Sequence, residues 1–78
     1  MSRTLTVRER QVLLLAANGR TNEQIAGALG ISRMTVQRHL QNLRGALGAR
    51  DRTHAVALAI RHGHLNPQQI DELAKETA

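Results

Sequence analysis

The sequence predicts an all-α fold of four helices with a short fifth at the C-terminus. Three observations carry that expectation. Helix-start signatures recur along the chain: Thr6 with Glu9, Thr21 with Gln24, Ser32, Thr53, and Asn66 with Pro67 and Gln69. Apolar residues return at intervals of three and four, the period of one helix face. No stretch alternates apolar with polar residues as a half-buried strand does.

The first helix opens at Thr6, where Thr6 and Glu9 can each satisfy the other's backbone N–H, and it runs to about Asn18 before stopping at Gly19. It is expected to bury Val12, Leu13, Leu15 and Ala16. Leu14 is left near the solvent side, a candidate partner contact. A second box, Thr21 with Gln24, starts the next helix, whose inner face is Ile25, Ala26 and Leu29. Gly30 then permits a left-handed turn, Ile31 plugs the corner, and Ser32 caps a longer third helix. Val36, Leu40, Leu43 and Leu47 form its inner stripe, at steps of four, three and four. Short helix, tight turn and longer helix, from Thr21 to Leu47, have the spacing of a helix-turn-helix. What points outward is Met34, Gln37, Arg38, Gln41 and Gly45, a surface suited to reading base edges.

Thr53 is expected to cap a fourth helix from His54 to His62, ended by Gly63. Ala55, Ala57 and Ala59 permit close approach, while Val56, Leu58 and Ile60 make it apolar on more than one side, which favours self-association. Asn66, Pro67 and Gln69 then start a last short helix to about Lys75. Its Ile70 and Leu73 can fold back onto the bundle.

Composition narrows the function classes. A 78-residue chain is one domain that buries only about 60% of its unfolded surface. With no Phe, Tyr or Trp, the core must be Leu, Ile, Val and Ala, and stacking of single-stranded bases on aromatic rings is disfavoured. No cysteine means no disulfide and no thiolate metal site. The apolar run from Val12 to Ala17 is too short to span a bilayer, and no signal-peptide pattern follows Met1. A soluble, cytoplasmic protein is expected, in the bacterial cytoplasm or nucleoid, with no membrane partner. Residues 1–62 carry ten arginines against Glu9, Glu23 and Asp51, a net +7. Residues 63–78 carry Lys75 against Asp71, Glu72 and Glu76, a net −2, consistent with the whole-chain +5. An arginine-rich body suits a polyanion.

The histidines have bland explanations. His39 lies beside the apolar stripe, and His62 and His64 flank the Gly63 stop, where a polar or cationic ring favours a helix C-terminus. Scattered histidines without clustered carboxylates give no metal site. Glu9 is explained by its cap position, and no nucleophile–base pair or phosphate-cradling glycine loop is visible. No enzyme and no cofactor is expected.

Residues 5–65 resemble the LuxR/GerE-type DNA-binding domain. The resemblance is carried by Leu5, Thr6, Arg8 and Glu9 (LTxRE), Val12, Leu13, Gly19, Asn22, Ile25 and Ala26. It continues through ISxxTVxxH from Ile31 to His39, LGxRxR from Leu47 to Arg52, and Thr53, Ala55 and Val56. It implies a four-helix bundle whose third helix enters the major groove and whose fourth commonly makes the dimer contact. Residues 1–65 would then be the DNA-binding domain and 66–78 a short acidic C-terminal helix or tail.

A helical wheel sets Gln37, Arg38 and Gln41 opposite the apolar stripe, and the family uses the same positions on major-groove bases. Glutamine can pair bidentately with adenine and arginine with guanine. Asn22, Arg33, Thr35, His39, Arg44, Arg50 and Arg52 are the expected phosphate contacts, assisted by the helix N-termini at Asn22 and Arg33. The dimer contact would fall on His54, Ala57, Leu58 and Arg61. The family usually has lysine where this chain has Gln37 and Ala46, so two missing cations should weaken non-specific binding and flatten its salt dependence.

The implied function is a sequence-specific, double-stranded DNA-binding transcription regulator, binding an inverted repeat as a homodimer. Two alternatives differ in partner. A sigma-factor region-4-like module would bind promoter DNA and RNA polymerase, but needs no segment like LGARDRTHAVALAIRHG. A protein-interaction anti-regulator would dimerise with another regulator without reading DNA. The acidic tail would either extend the dimer interface or temper non-specific DNA binding.

Overall fold

The computed structural model describes residues 4–70. Four α-helices pack together: α1 (Val7–Ala17), α2 (Asn22–Leu29), α3 (Arg33–Leu47) and α4 (Arg52–Arg61), followed by a 3₁₀ turn at Pro67–Gln69. No strand is present among the described residues. Helix α3 is the hub, packing against α1, α2 and α4. Its inner stripe Val36, Leu40, Leu43 and Leu47 is buried, and Ala46 joins it. Val12 and Leu13 come from α1, Ile25 and Ala26 from α2, and Ala55 and Ala59 from α4. Leu5, before α1, and Leu65, after α4, complete this core.

The caps explain where each helix begins. Thr6 Oγ1 accepts the Glu9 N–H at 3.0 Å and Glu9 Oε1 accepts the Thr6 N–H at 2.9 Å. Thr21 and Gln24 repeat the arrangement at 3.1 and 2.9 Å. Ser32 Oγ accepts the Thr35 N–H at 3.0 Å. Each bond satisfies an N–H that the helix itself leaves without a partner. Between α2 and α3, Gly30 has φ 68° and ψ 33°, and its N–H donates to the Ala26 carbonyl. That left-handed residue lets the Ile31 N–H reach the same carbonyl at 3.1 Å, which makes the tight corner.

Three expectations need correction. The cap of α4 is Asp51, not Thr53: Asp51 Oδ1 accepts the His54 N–H at 2.8 Å, and the helix starts one residue later at Arg52. A carboxylate caps as well as a hydroxyl and adds a negative charge at the positive end of the helix dipole. Leu14 is less open than expected, although it lines a surface groove. It is half-buried against the core, beside the Gly63–Asn66 segment that folds across α1, and Leu15 and Ala16 are likewise half-buried rather than fully enclosed. The expected helix from Asn66 begins with its cap, proline and box partner in place, yet Ile70 is extended at φ −88°, ψ 112°. The rest of that expectation, residues 71–75, lies outside the described residues. An Asn18 Nδ2 bond to the Gln69 carbonyl, 3.3 Å, ties this segment to the end of α1.

Candidate nucleic-acid interface

Packing of the Val36–Leu40–Leu43–Leu47 stripe inward turns the opposite side of α3 to solvent. Met34, Gln37, Arg38, Gln41 and Gly45 are all exposed on it. Gln37 and Gln41 are four residues apart and Arg38 and Gln41 three, so the three polar side chains form one cluster. From Arg33 to Arg50 the chain has four arginines and no aspartate or glutamate. That stretch is therefore net positive.

Gln37 and Gln41 also line a groove of about 370 Å³ with Leu40, Arg44, Asn22 and Arg52. This groove joins three elements: the first residue of α2, the middle of α3 and the first residue of α4. Arg52 closes it by donating from Nη1 to Asn22 Oδ1 at 2.7 Å and from Nη2 to the Arg20 carbonyl at 2.6 Å. Arg44 is half-buried, and its Nε is enclosed without a hydrogen-bond partner.

The remaining expected phosphate contacts lie elsewhere. Arg33 and Thr35 sit in the first turn of α3, Arg33 exposed and the Thr35 hydroxyl 2.8 Å from Ser32 Oγ. Arg50 is exposed in the connection between α3 and α4. His39 is half-buried on the flank of α3. At 1.5 Å rise per residue, Arg33 and Arg44 are separated by roughly 16 Å along the helix. The basic groups thus bracket the polar cluster at both ends. Of the two positions marked as lost cations, only Gln37 is on this face. Ala46 is 8% exposed and belongs to the core, so its short side chain removes nothing from the outer surface and serves packing.

The expected dimer residues His54, Ala57, Leu58 and Arg61 share one side of α4, next to the buried Ala55 and Ala59. Ala57 and Arg61 are exposed, whereas His54 and Leu58 are half-buried. His54 is partly used within the fold, because its Nδ1 accepts the Arg50 N–H at 3.0 Å. On the neighbouring side of α4, Val56, Ala57 and Ile60 form a largely apolar hollow of about 400 Å³ with Ala16 and Ala17 of α1, edged by Arg52 and Thr53. The α1 residues carry no sequence signal for such a role. The Arg20 carbonyl was similarly invisible, since a backbone group is the same whatever the residue.

No helix among the described residues is long and apolar enough to cross a membrane. None of their His, Asp and Glu side chains gather in threes as a metal site would need.

A family model described as bacterial regulatory proteins, luxR family, matches residues 3–59. The probable transcriptional regulatory protein SgaR of Hyphomicrobium methylovorum is 54% identical over 57 residues, covering 73% of this chain and 27% of that protein. The structure of the transcription factor GerE superposes with a TM-score of 0.77 at 34% identity, over 82% of this chain and 97% of GerE. A Vibrio cholera VqmA–ligand–DNA complex gives 0.73 at 29% identity, over 92% of this chain and 33% of VqmA. The chain thus spans about a quarter of the length of the curated relatives it matches.

Proposed function

This chain belongs to the luxR family of bacterial regulatory proteins, and we propose that it is the DNA-reading part of a transcription regulator. One observation carries the reading: the exposed cluster Gln37, Arg38 and Gln41, in a stretch from Arg33 to Arg50 that has four arginines and no acidic residue. The roughly 16 Å between Arg33 and Arg44 exceeds the ~12 Å width of the major groove. With α3 in that groove, arginines at both ends of the helix are within reach of flanking phosphates while the cluster faces the base edges. Arg38 then pairs with guanine O6 and N7, and the glutamines with adenine N6 and N7. Arg33, Thr35, His39, Arg44 and Arg50 take phosphate, as do the backbone N–H groups opening α2 and α3. That a similar structure, VqmA, was solved in complex with DNA supports DNA as the ligand.

A homodimer joined through His54, Ala57, Leu58 and Arg61 would set two α3 helices about one duplex turn apart, on an inverted repeat. Such a regulator works where DNA is, in the bacterial cytoplasm, and an activator adds RNA polymerase as a second partner.

The test is the Arg38→Ala variant, compared with the wild-type chain on duplexes selected by the wild type. Loss of discrimination at one base pair in each half-site, about 1–3 kcal/mol, supports base reading. An equal loss on all sequences makes Arg38 a phosphate contact. Wild-type binding that neither depends on salt nor prefers any sequence overturns the DNA reading altogether.

A further inference from the structure

We infer that Arg52 is a positioning residue for the DNA-facing end of α2, acting through Asn22, and not a phosphate contact in its own right. The inference rests on the DNA reading proposed above. Arg52 is the first residue of α4, yet its guanidinium spans 30 residues of sequence to Asn22 and 32 to Arg20. Both bonds are short, at 2.7 and 2.6 Å, and use the two terminal nitrogens of the fork. A guanidinium only donates, so it must meet the oxygen of the Asn22 amide. That choice sets the amide's orientation. It leaves Asn22 Nδ2, which has no partner among the described residues, as a donor on a residue that lines the groove beside Gln37, Gln41 and Arg44.

The second bond, to the Arg20 carbonyl, holds the residue just before the Thr21 cap. One side chain therefore fixes both the connection entering α2 and the first side chain on it. Without Arg52, the hydrophobic contact of Ile25 and Ala26 with α3 still holds α2 in place, but nothing orients the Asn22 amide. A lysine at 52 keeps the charge, but its three donors sit on one rotatable nitrogen at the end of a flexible stem, so it lacks the rigid fork that holds both acceptors in fixed geometry.

Charge and geometry can accordingly be separated. The whole chain, as wild type, Arg52→Lys, Asn22→Ala and the double variant, is titrated into a fluorescein-labelled duplex of mixed sequence at several salt concentrations. Arg52→Lys should bind roughly tenfold more weakly, the scale of one hydrogen bond to a charged group. Its salt slope should be unchanged, because no cation is lost. In the Asn22→Ala background the same change should cost less than about twofold, because both act on one contact. Wild-type affinity in Arg52→Lys, or an equal loss in both backgrounds, overturns the positioning role. Circular dichroism at the titration temperature checks folding. If Arg52→Lys is unfolded, Arg52→Gln, which keeps a donor for one acceptor, takes its place in the cycle. Failure of the wild-type chain to bind the duplex overturns the DNA reading and this role together, whereas independent losses overturn this role alone.

Discussion

Replacing glycine by alanine should have opposite effects at two positions three residues apart. Gly45 lies inside α3 with ordinary helical geometry, and a Cβ built there meets nothing within 4 Å. Nothing is strained by the added methyl, and nothing is gained by burial because the site is exposed. Only the backbone-entropy cost of glycine remains, about 0.8–1.0 kcal/mol relative to alanine in a helix. Gly48 is the cap residue at φ 70° and ψ 31°. A Cβ there also meets nothing within 4 Å, so the whole effect is the left-handed backbone, which costs an L-residue about 1–2 kcal/mol. For a domain of this size 1 kcal/mol moves the melting temperature by about 4–8 °C. Gly45→Ala should therefore melt several degrees above the wild type and Gly48→Ala several degrees below it, in thermal unfolding followed by far-ultraviolet circular dichroism. Gly27→Ala, within α2 and equally open, should match Gly45→Ala. Shifts of the same sign at Gly45 and Gly48 would refute the reasoning, since the two sites differ in backbone conformation and not in space.

Two further stability effects follow from the packing and the caps. Asp51→Ala should lower stability by about 1 kcal/mol in urea unfolding, while Thr53→Ala stays within about 0.5 kcal/mol, because Asp51 and not Thr53 caps α4. Leu43→Ala removes a fully buried side chain from the hub helix and should cost about 2–5 kcal/mol. That is a large share of the roughly 4–12 kcal/mol available to a chain of 78 residues, so the urea midpoint should fall sharply or the fold be lost.

What could be read from the sequence was the local part of the structure. A capping pair spans three residues, so Thr6–Glu9 and Thr21–Gln24 are visible in the chain and recur as bonds at 2.9–3.1 Å. The inner stripe of α3 was equally legible, because apolar spacing alone fixes which side faces the core. Asp51 was passed over because Thr53, two residues on, offers a competing cap, and local chemistry does not rank a carboxylate against a hydroxyl so near. The partial burial of Leu14 is not legible locally, because the groove it lines is completed by residues 63–66, some fifty positions away. Nor does the sequence around Ala46 show that this position is buried, because its burial depends on three-dimensional packing. The same limit hid the most informative part of the candidate site. That Arg52 reaches Asn22 and Arg20 is a relation between the starts of two helices, and neither start records the other.

The enclosed Nε of Arg44 has a consequence for how this domain balances stability against use. An enclosed donor without a partner destabilises the free fold by about 1–3 kcal/mol, and an apolar side chain of similar length would avoid that cost. The strain sits on the wall of the groove that faces the proposed ligand, not in the core, where selection for stability alone would most easily remove it. A sequence optimised only to fold would discard this arginine. If α3 meets DNA as proposed, this arginine serves binding at a cost in the stability of the free fold.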